Sequence, residues 1–161
     1  MDRVKSAIFS ALGSVKGARV LDLFAGTGSL GIESLSRGAA NVTFVEKDSF
    51  AVDAIRQNLA KTRFTGEILA MDVFSFLDRR QGTGEFDLII ADPPYAKQPG
   101  ERDFGSELLA SPAIPRALAP NGVFVLEHLP DAKLTIRPPW ICTRDKRYGA
   151  TAVAFLMLPQ D

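Results

Sequence analysis

A short apolar run at residues 19–24 passes into Gly26-Thr27-Gly28-Ser29-Leu30-Gly31, after which helical spacing runs from Thr27 to Arg37 and closes at Gly38. No other feature restricts the fold as much. A G-x-G-x-x-G loop between a strand and a helix lets the backbone turn sharply and approach a ligand closely. The unit then repeats. Residues 42–46 read as a second strand, with Asp48 as N-cap of a helix from Ser49 to about Ala60. Residues 67–71 read as a third, with Asp72 as N-cap of a helix from Val73 to Arg80. Residues 86–91 and 122–127 are the fourth and fifth strands, joined by a long Pro- and Gly-rich connection with one or two short helices. An amphipathic helix carried by Val4, Ala7, Ile8, Ala11 and Leu12 precedes the first strand and stops at Gly13. Two final runs, 140–146 and 151–158, meet at Tyr148-Gly149 and suit an antiparallel hairpin. This alternation predicts an α/β fold of Rossmann-like type: a mostly parallel seven-stranded sheet, helices on both faces, and a C-terminal antiparallel hairpin.

A chain of 161 residues, 46% of them hydrophobic, suits one domain, and residues 1–161 are expected to form it. The 19 basic and 19 acidic side chains cancel, so any nucleic-acid partner must be held by a local patch rather than a global field. Cys142, the only cysteine, excludes an internal disulfide and a cysteine-rich zinc site; between Ile141 and Thr143 in a predicted strand, it is expected in the core. A reducing, cytoplasmic setting follows, and no run approaches the roughly 20 apolar residues that span a bilayer. A monomer with no metal and no membrane contact is the expectation.

In sheets of this kind ligands bind at the carboxyl ends of the strands. Those ends here carry Asp22, Glu46, Asp72, Asp92 and Glu127. A carboxylate at Asp22, four residues before the first glycine, would repel the pyrophosphate that such a loop often holds. The ligand that fits is cationic near the loop, carries a ribose, and has no phosphate. S-adenosylmethionine has these properties, with Asp22 near its ammonium, Glu46 accepting from both ribose hydroxyls, Asp72 accepting from the adenine amine and Val73 offering a backbone N–H. Asp48 is read as a cap alone.

Asp92-Pro93-Pro94-Tyr95 follows the fourth strand. Consecutive prolines fix φ and remove donors, leaving carbonyls free to accept. Such a turn suits a planar base with an exocyclic amine: Asp92 and the Pro93 carbonyl each take one amine hydrogen, and Tyr95 stacks on the ring, a contact worth about 1–3 kcal/mol. The base must first leave its stack, so a distorted or single-stranded nucleic acid is the easiest substrate. His128, the only histidine, is assigned a structural or pocket-rim role because methyl transfer to an amine requires no such base.

The segments at residues 2–12, 22–39, 45–48 and 92–95, together with Arg147-Tyr148-Gly149, resemble the bacterial 16S ribosomal RNA guanine-N2 methyltransferases that modify guanine 966. The resemblance spans nearly the whole chain. It implies a class I methyltransferase fold, S-adenosylmethionine as donor, guanine N2 as acceptor, and 16S rRNA in an assembled or assembling small subunit as partner. The candidate catalytic residues are Asp92, Pro93, Pro94 and Tyr95. The candidate cofactor-binding residues are Asp22, Phe24, Ala25, Gly26, Thr27, Gly28, Glu46, Lys47, Asp72, Val73 and Asp92. RNA contacts are expected from Arg144, Lys146, Arg147 and Tyr148, with Arg147 favoured by its place in the motif. Family members usually carry a basic stretch ahead of the segment matching Asp2-Arg3-Val4, and this sequence begins at that segment. Two other readings stay open at this point: a DNA adenine-N6 or cytosine-N4 methyltransferase, since DPPY is shared with those enzymes, and a noncatalytic nucleotide-binding module holding NAD through the glycine loop.

Overall fold

Helix α1 (Asp2–Leu12) opens the computed structural model, which describes residues 2–160 and divides into two units after Arg79. The first unit continues through β1 (Arg19–Leu23), α2 (Ser29–Ser36), β2 (Asn41–Val45), α3 (Ser49–Thr62), β3 (Glu67–Leu69) and α4 (Val73–Arg79). Its strands lie in the order β3-β2-β1 and are all parallel, with Leu23 opposite Val45 and Val45 opposite Leu69. Val20, Leu21, Leu23, Phe44, Val45 and Ile8 are fully buried; each stabilises the unit by roughly 1.5–3 kcal/mol relative to leaving it in water. Helix α3 contributes Val52, Ile55 and Leu59, spaced to share one face.

The boundaries moved for local reasons. Helix α2 starts at Ser29, not Thr27, because Gly28 takes φ 84° and cannot belong to it. Helix α3 starts where expected, with Asp48 Oδ2 accepting from the Ala51 N–H at 3.0 Å, and runs to Thr62 before Arg63 turns left-handed at φ 61°. The third strand is only three residues long.

The second unit holds β4 (Phe86–Ala91), α5 (Phe104–Ala110), α6 (Ala113–Ala117), β5 (Leu118–His128), β6 (Ile141–Tyr148) and β7 (Thr151–Met157), with strand order β4-β5-β7-β6. Strands β4 and β5 are parallel; β7 runs antiparallel to both β5 and β6. Strand β5 begins four residues earlier than expected. Leu118 already pairs with Phe86, and a register shift before Leu88↔Val123 absorbs Pro120-Asn121, where Asn121 takes φ 65°. The seven strands are thus mostly parallel with a C-terminal antiparallel pair, as expected. Strand β6 is an edge, exposed along most of its length, so Cys142 is only half-buried instead of in the core. Among the described residues no helix is long and apolar enough to cross a membrane.

Candidate active site

In the first unit the three glycines of the loop have three different tasks. Gly26, at φ 59°, has nothing within 4 Å of where a Cβ would stand, so the space above it is open. Gly28 turns the chain: its N–H donates to the Ala25 carbonyl at 2.9 Å, while the Ala25 N–H reaches the Val45 carbonyl at 3.2 Å. Gly31 is buried inside α2, where a Cβ would fall 2.3 Å from the Phe44 ring. It lets the helix lie close on β2. The Thr27 carbonyl accepts from Asn58 Nδ2 at 2.9 Å, tying the loop to α3.

Asp22 is 2% exposed, and its Oδ2 accepts from the Gly31 N–H at 3.1 Å. One of its oxygens is therefore committed to the loop itself, whereas the expected neighbour of this side chain is a ligand ammonium. The consequence for ligand choice is the same: a carboxylate already answers the positive end of α2, which a pyrophosphate would need. Glu46 is fixed from two sides, with Oε1 accepting from the Gly26 N–H and Oε2 from the Asp48 N–H, both at 2.9 Å. Each carboxylate oxygen keeps a lone pair for a further donor. Asp72 caps α4 through the Ser75 N–H at 3.0 Å, using only Oδ2; Val73 is buried and Lys47 is exposed. Phe24, which leads into the loop, has φ 56° and packs edge-on against Phe74 at 6.3 Å. A non-glycine residue in the left-handed region stores strain of the kind concentrated at binding sites.

In the second unit Asp92-Pro93-Pro94-Tyr95 leaves the end of β4. Pro93 is buried, and among the described residues its carbonyl accepts no hydrogen bond. The Tyr95 hydroxyl lies 2.6 Å from Thr151 Oγ1, and Thr151 Oγ1 donates to the His128 carbonyl at 3.4 Å. Since threonine has one hydrogen to give, Tyr95 donates the shorter bond, which anchors the hydroxyl end of its ring. Asp92 is held above the ordinary carboxylate range by burial, with a hydrogen bond to the Glu127 side chain pulling the other way. Burial also raises Tyr95, and the charges of Asp92 and Glu127 add to the rise.

Glu127 and Thr151 were not singled out as site residues in the sequence. Glu127 stood among the acidic strand ends, but only the pairing of β4 with β5 brings it to Asp92. His128 bridges elements as a structural residue: its Nε2 lies 2.8 Å from Asp145 Oδ1 and its Nδ1 2.8 Å from the Leu129 carbonyl. The imidazole crosses over β7 where Ala152 and Ala154 leave room.

The four expected RNA contacts do not form one patch. Opposed residues in an antiparallel ladder share a face. Arg144, Lys146 and Tyr148 thus lie on the face of Phe155, Val153 and Thr151, the face that also carries Glu127. Arg147 and Asp145 lie on the other, with His128. The Lys146 ammonium stands 5.6 Å from the centre of the Tyr148 ring, and Arg147 Nε donates to the Gly149 carbonyl at 3.0 Å. Among the described residues no cluster of three or more His, Cys, Asp or Glu side chains is placed to hold a metal ion.

The mostly parallel seven-stranded sheet with its C-terminal antiparallel pair is the Rossmann-like fold of class I methyltransferases. The whole chain superposes on yhhF, a candidate methyltransferase of Escherichia coli, with TM-score 0.80 and 27% identity, covering 87% of that chain. A candidate methylase of Haemophilus influenzae matches 96% of each chain with TM-score 0.81 and 28% identity. Residues 1–157 match the family described as conserved hypothetical protein 95, and the chain belongs to that family. YlbH of Bacillus subtilis, named as a candidate rRNA methyltransferase, is 36% identical over 160 residues, covering 95% of this chain and 83% of its own. The ribosomal RNA small subunit methyltransferase D of Haemophilus influenzae is 30% identical over 152 residues, covering 92% and 76%.

Proposed function

We propose that the protein transfers a methyl group from S-adenosylmethionine to the exocyclic N2 of a guanine in 16S rRNA, within an assembled or assembling small ribosomal subunit. The observation that carries the reading is the DPPY turn: a carboxylate, a free Pro93 carbonyl and a tyrosine anchored by its hydroxyl on Thr151, in a family whose relatives include a small-subunit rRNA methyltransferase.

The residues of the first unit fit the donor. The open space above Gly26 admits a close approach, and the doubly anchored Glu46 has lone pairs for two vicinal hydroxyls. The unused Asp72 oxygen can take an amine hydrogen. Bound there, S-adenosylmethionine supplies an electrophilic methyl group on a sulfonium. Everything else falls to the protein. Asp92 and the Pro93 carbonyl each accept one hydrogen of N2, drawing its lone pair out of conjugation with the ring and aiming it at the methyl carbon. Tyr95 holds the flipped base by stacking. The rate gain then comes from orientation, since an in-line displacement needs amine and methyl at near-attack distance. After transfer the amine proton passes to Asp92 or to water. Arg144 and Lys146 supply phosphate contacts on the face of the acceptor turn.

The test is methylation of small-subunit particles from a strain lacking the modification, with the product nucleoside identified by mass spectrometry. N2-methylguanosine is expected with the wild type and none with Asp92→Ala; label confined to DNA, to protein or to another base atom would refute the reading.

A further inference from the structure

We infer that Glu127 accepts the ring N1–H of the acceptor guanine, beside the amine held by Asp92, and so determines which base the site takes. The inference rests on the guanine-N2 reading above. Parallel strands β4 and β5 pair Ala91 with Leu126, so the next residues, Asp92 and Glu127, stand side by side at the carboxyl ends. Glu127 is 4% exposed, and its side chain is hydrogen-bonded to Asp92. Neighbouring strands lie about 4.8 Å apart, and residues at matched positions send their side chains to the same face, so the two carboxyl groups form one pair of acceptors. Such a pair suits two parallel N–H donors on one base edge. Guanine has such an edge: the ring N1–H stands next to the amine. Adenine and cytosine carry a bare ring nitrogen there instead. When N2 is delivered to Asp92, N1–H enters the same enclosed turn and must find an acceptor or lose its hydrogen bond to water. Glu127 is the group placed to take it. The two guanine hydrogens replace the one that the carboxyls share, which passes to solvent.

The prediction is tested on particles reconstituted with 16S rRNA carrying guanine or 2-aminopurine at the methylated position. The analogue keeps the 2-amino group but lacks N1–H. Its missing 6-oxygen affects both enzymes alike and cancels from the comparison. Wild type should prefer guanine in kcat/KM by about tenfold or more. Glu127→Met, similar in volume but without an acceptor, should bring the two substrates within about threefold. Glu127→Gln keeps an acceptor oxygen and should retain most of the preference. Glu127→Ala, read in the same way, covers the case of a methionine variant that does not fold. A guanine preference unchanged by removal of the acceptor would overturn the inference while leaving the methyltransferase reading intact. A wild type that transfers nothing to guanine N2 would remove both.

Discussion

Asp92 is kept ionisable where ionisation is costly. Burial raises its proton affinity above that of an exposed carboxyl, whose pKa is about 3.9, and the bond to Glu127 offsets only part of this. The folded chain therefore binds the proton more tightly than the unfolded one. Stability is unaffected below the ordinary carboxylate range and falls as pH rises through the raised value. Asparagine at this position has no proton to lose. Asp92→Asn should raise Tm near pH 8, on a scale of about 2–4 °C per kcal/mol for a chain of this size, and the gain should vanish toward pH 4. Calorimetric scans across that range check it; a gain independent of pH would mean that the ionised group is not buried at a cost. The same substitution should remove methyl transfer, the trade of stability for activity expected at a working site.

At the level of elements, the glycine loop separates ligand approach from packing. Gly31→Ala places a methyl group against the Phe44 ring and must push α2 away from β2, costing about 2–3 kcal/mol by thermal melting. Gly26→Ala meets no neighbour and costs only the backbone penalty of about 1 kcal/mol, yet it fills the space a ligand would enter. Calorimetric titration with S-adenosylhomocysteine should show affinity lost in Gly26→Ala; undiminished binding would place the ligand elsewhere. Strand β6 divides its charges by face. Charged side chains on an edge strand also discourage unwanted pairing, so exposure alone does not make Arg144 or Arg147 an RNA contact. Replacing Arg144 and Lys146 together with alanine should weaken particle binding about tenfold and flatten its salt dependence by about two phosphate contacts. Arg147→Ala, on the opposite face and bonded to the turn carbonyl of Gly149, should leave the slope unchanged. Equal effects from both would contradict the register argument.

Across the whole molecule, what could be read in the sequence was whatever a local signal records. The strand and glycine loop, the Asp48 and Asp72 caps and the DPPY turn each depend on neighbours a few residues away, and each stands where expected, while the helix after the loop starts two residues later. Pairing across distant strands was hidden. Nothing near Glu127 reveals that it lies beside Asp92, and Cys142 looked internal only because the edge position of β6 is decided by the order of strands. Pro120-Asn121 falls in the expected connection ahead of residue 122, whereas a register shift carries β5 through it. The bond from Tyr95 through Thr151 to the His128 carbonyl has a consequence for turnover. Its hydrogens all run inward, so once the carboxyls have released the hydrogen they share, the tyrosine oxygen, the Pro93 carbonyl and the carboxylates form a surface that takes hydrogens and gives none. On the proposed reaction such a surface would tell substrate from product by its hydrogens, since each turnover removes one. Singly methylated guanine leaves one acceptor unanswered and should bind more weakly by about 1–3 kcal/mol. Chemistry thus loosens its own product, and N2,N2-dimethylguanosine should stay at trace level in mass spectra even after prolonged incubation.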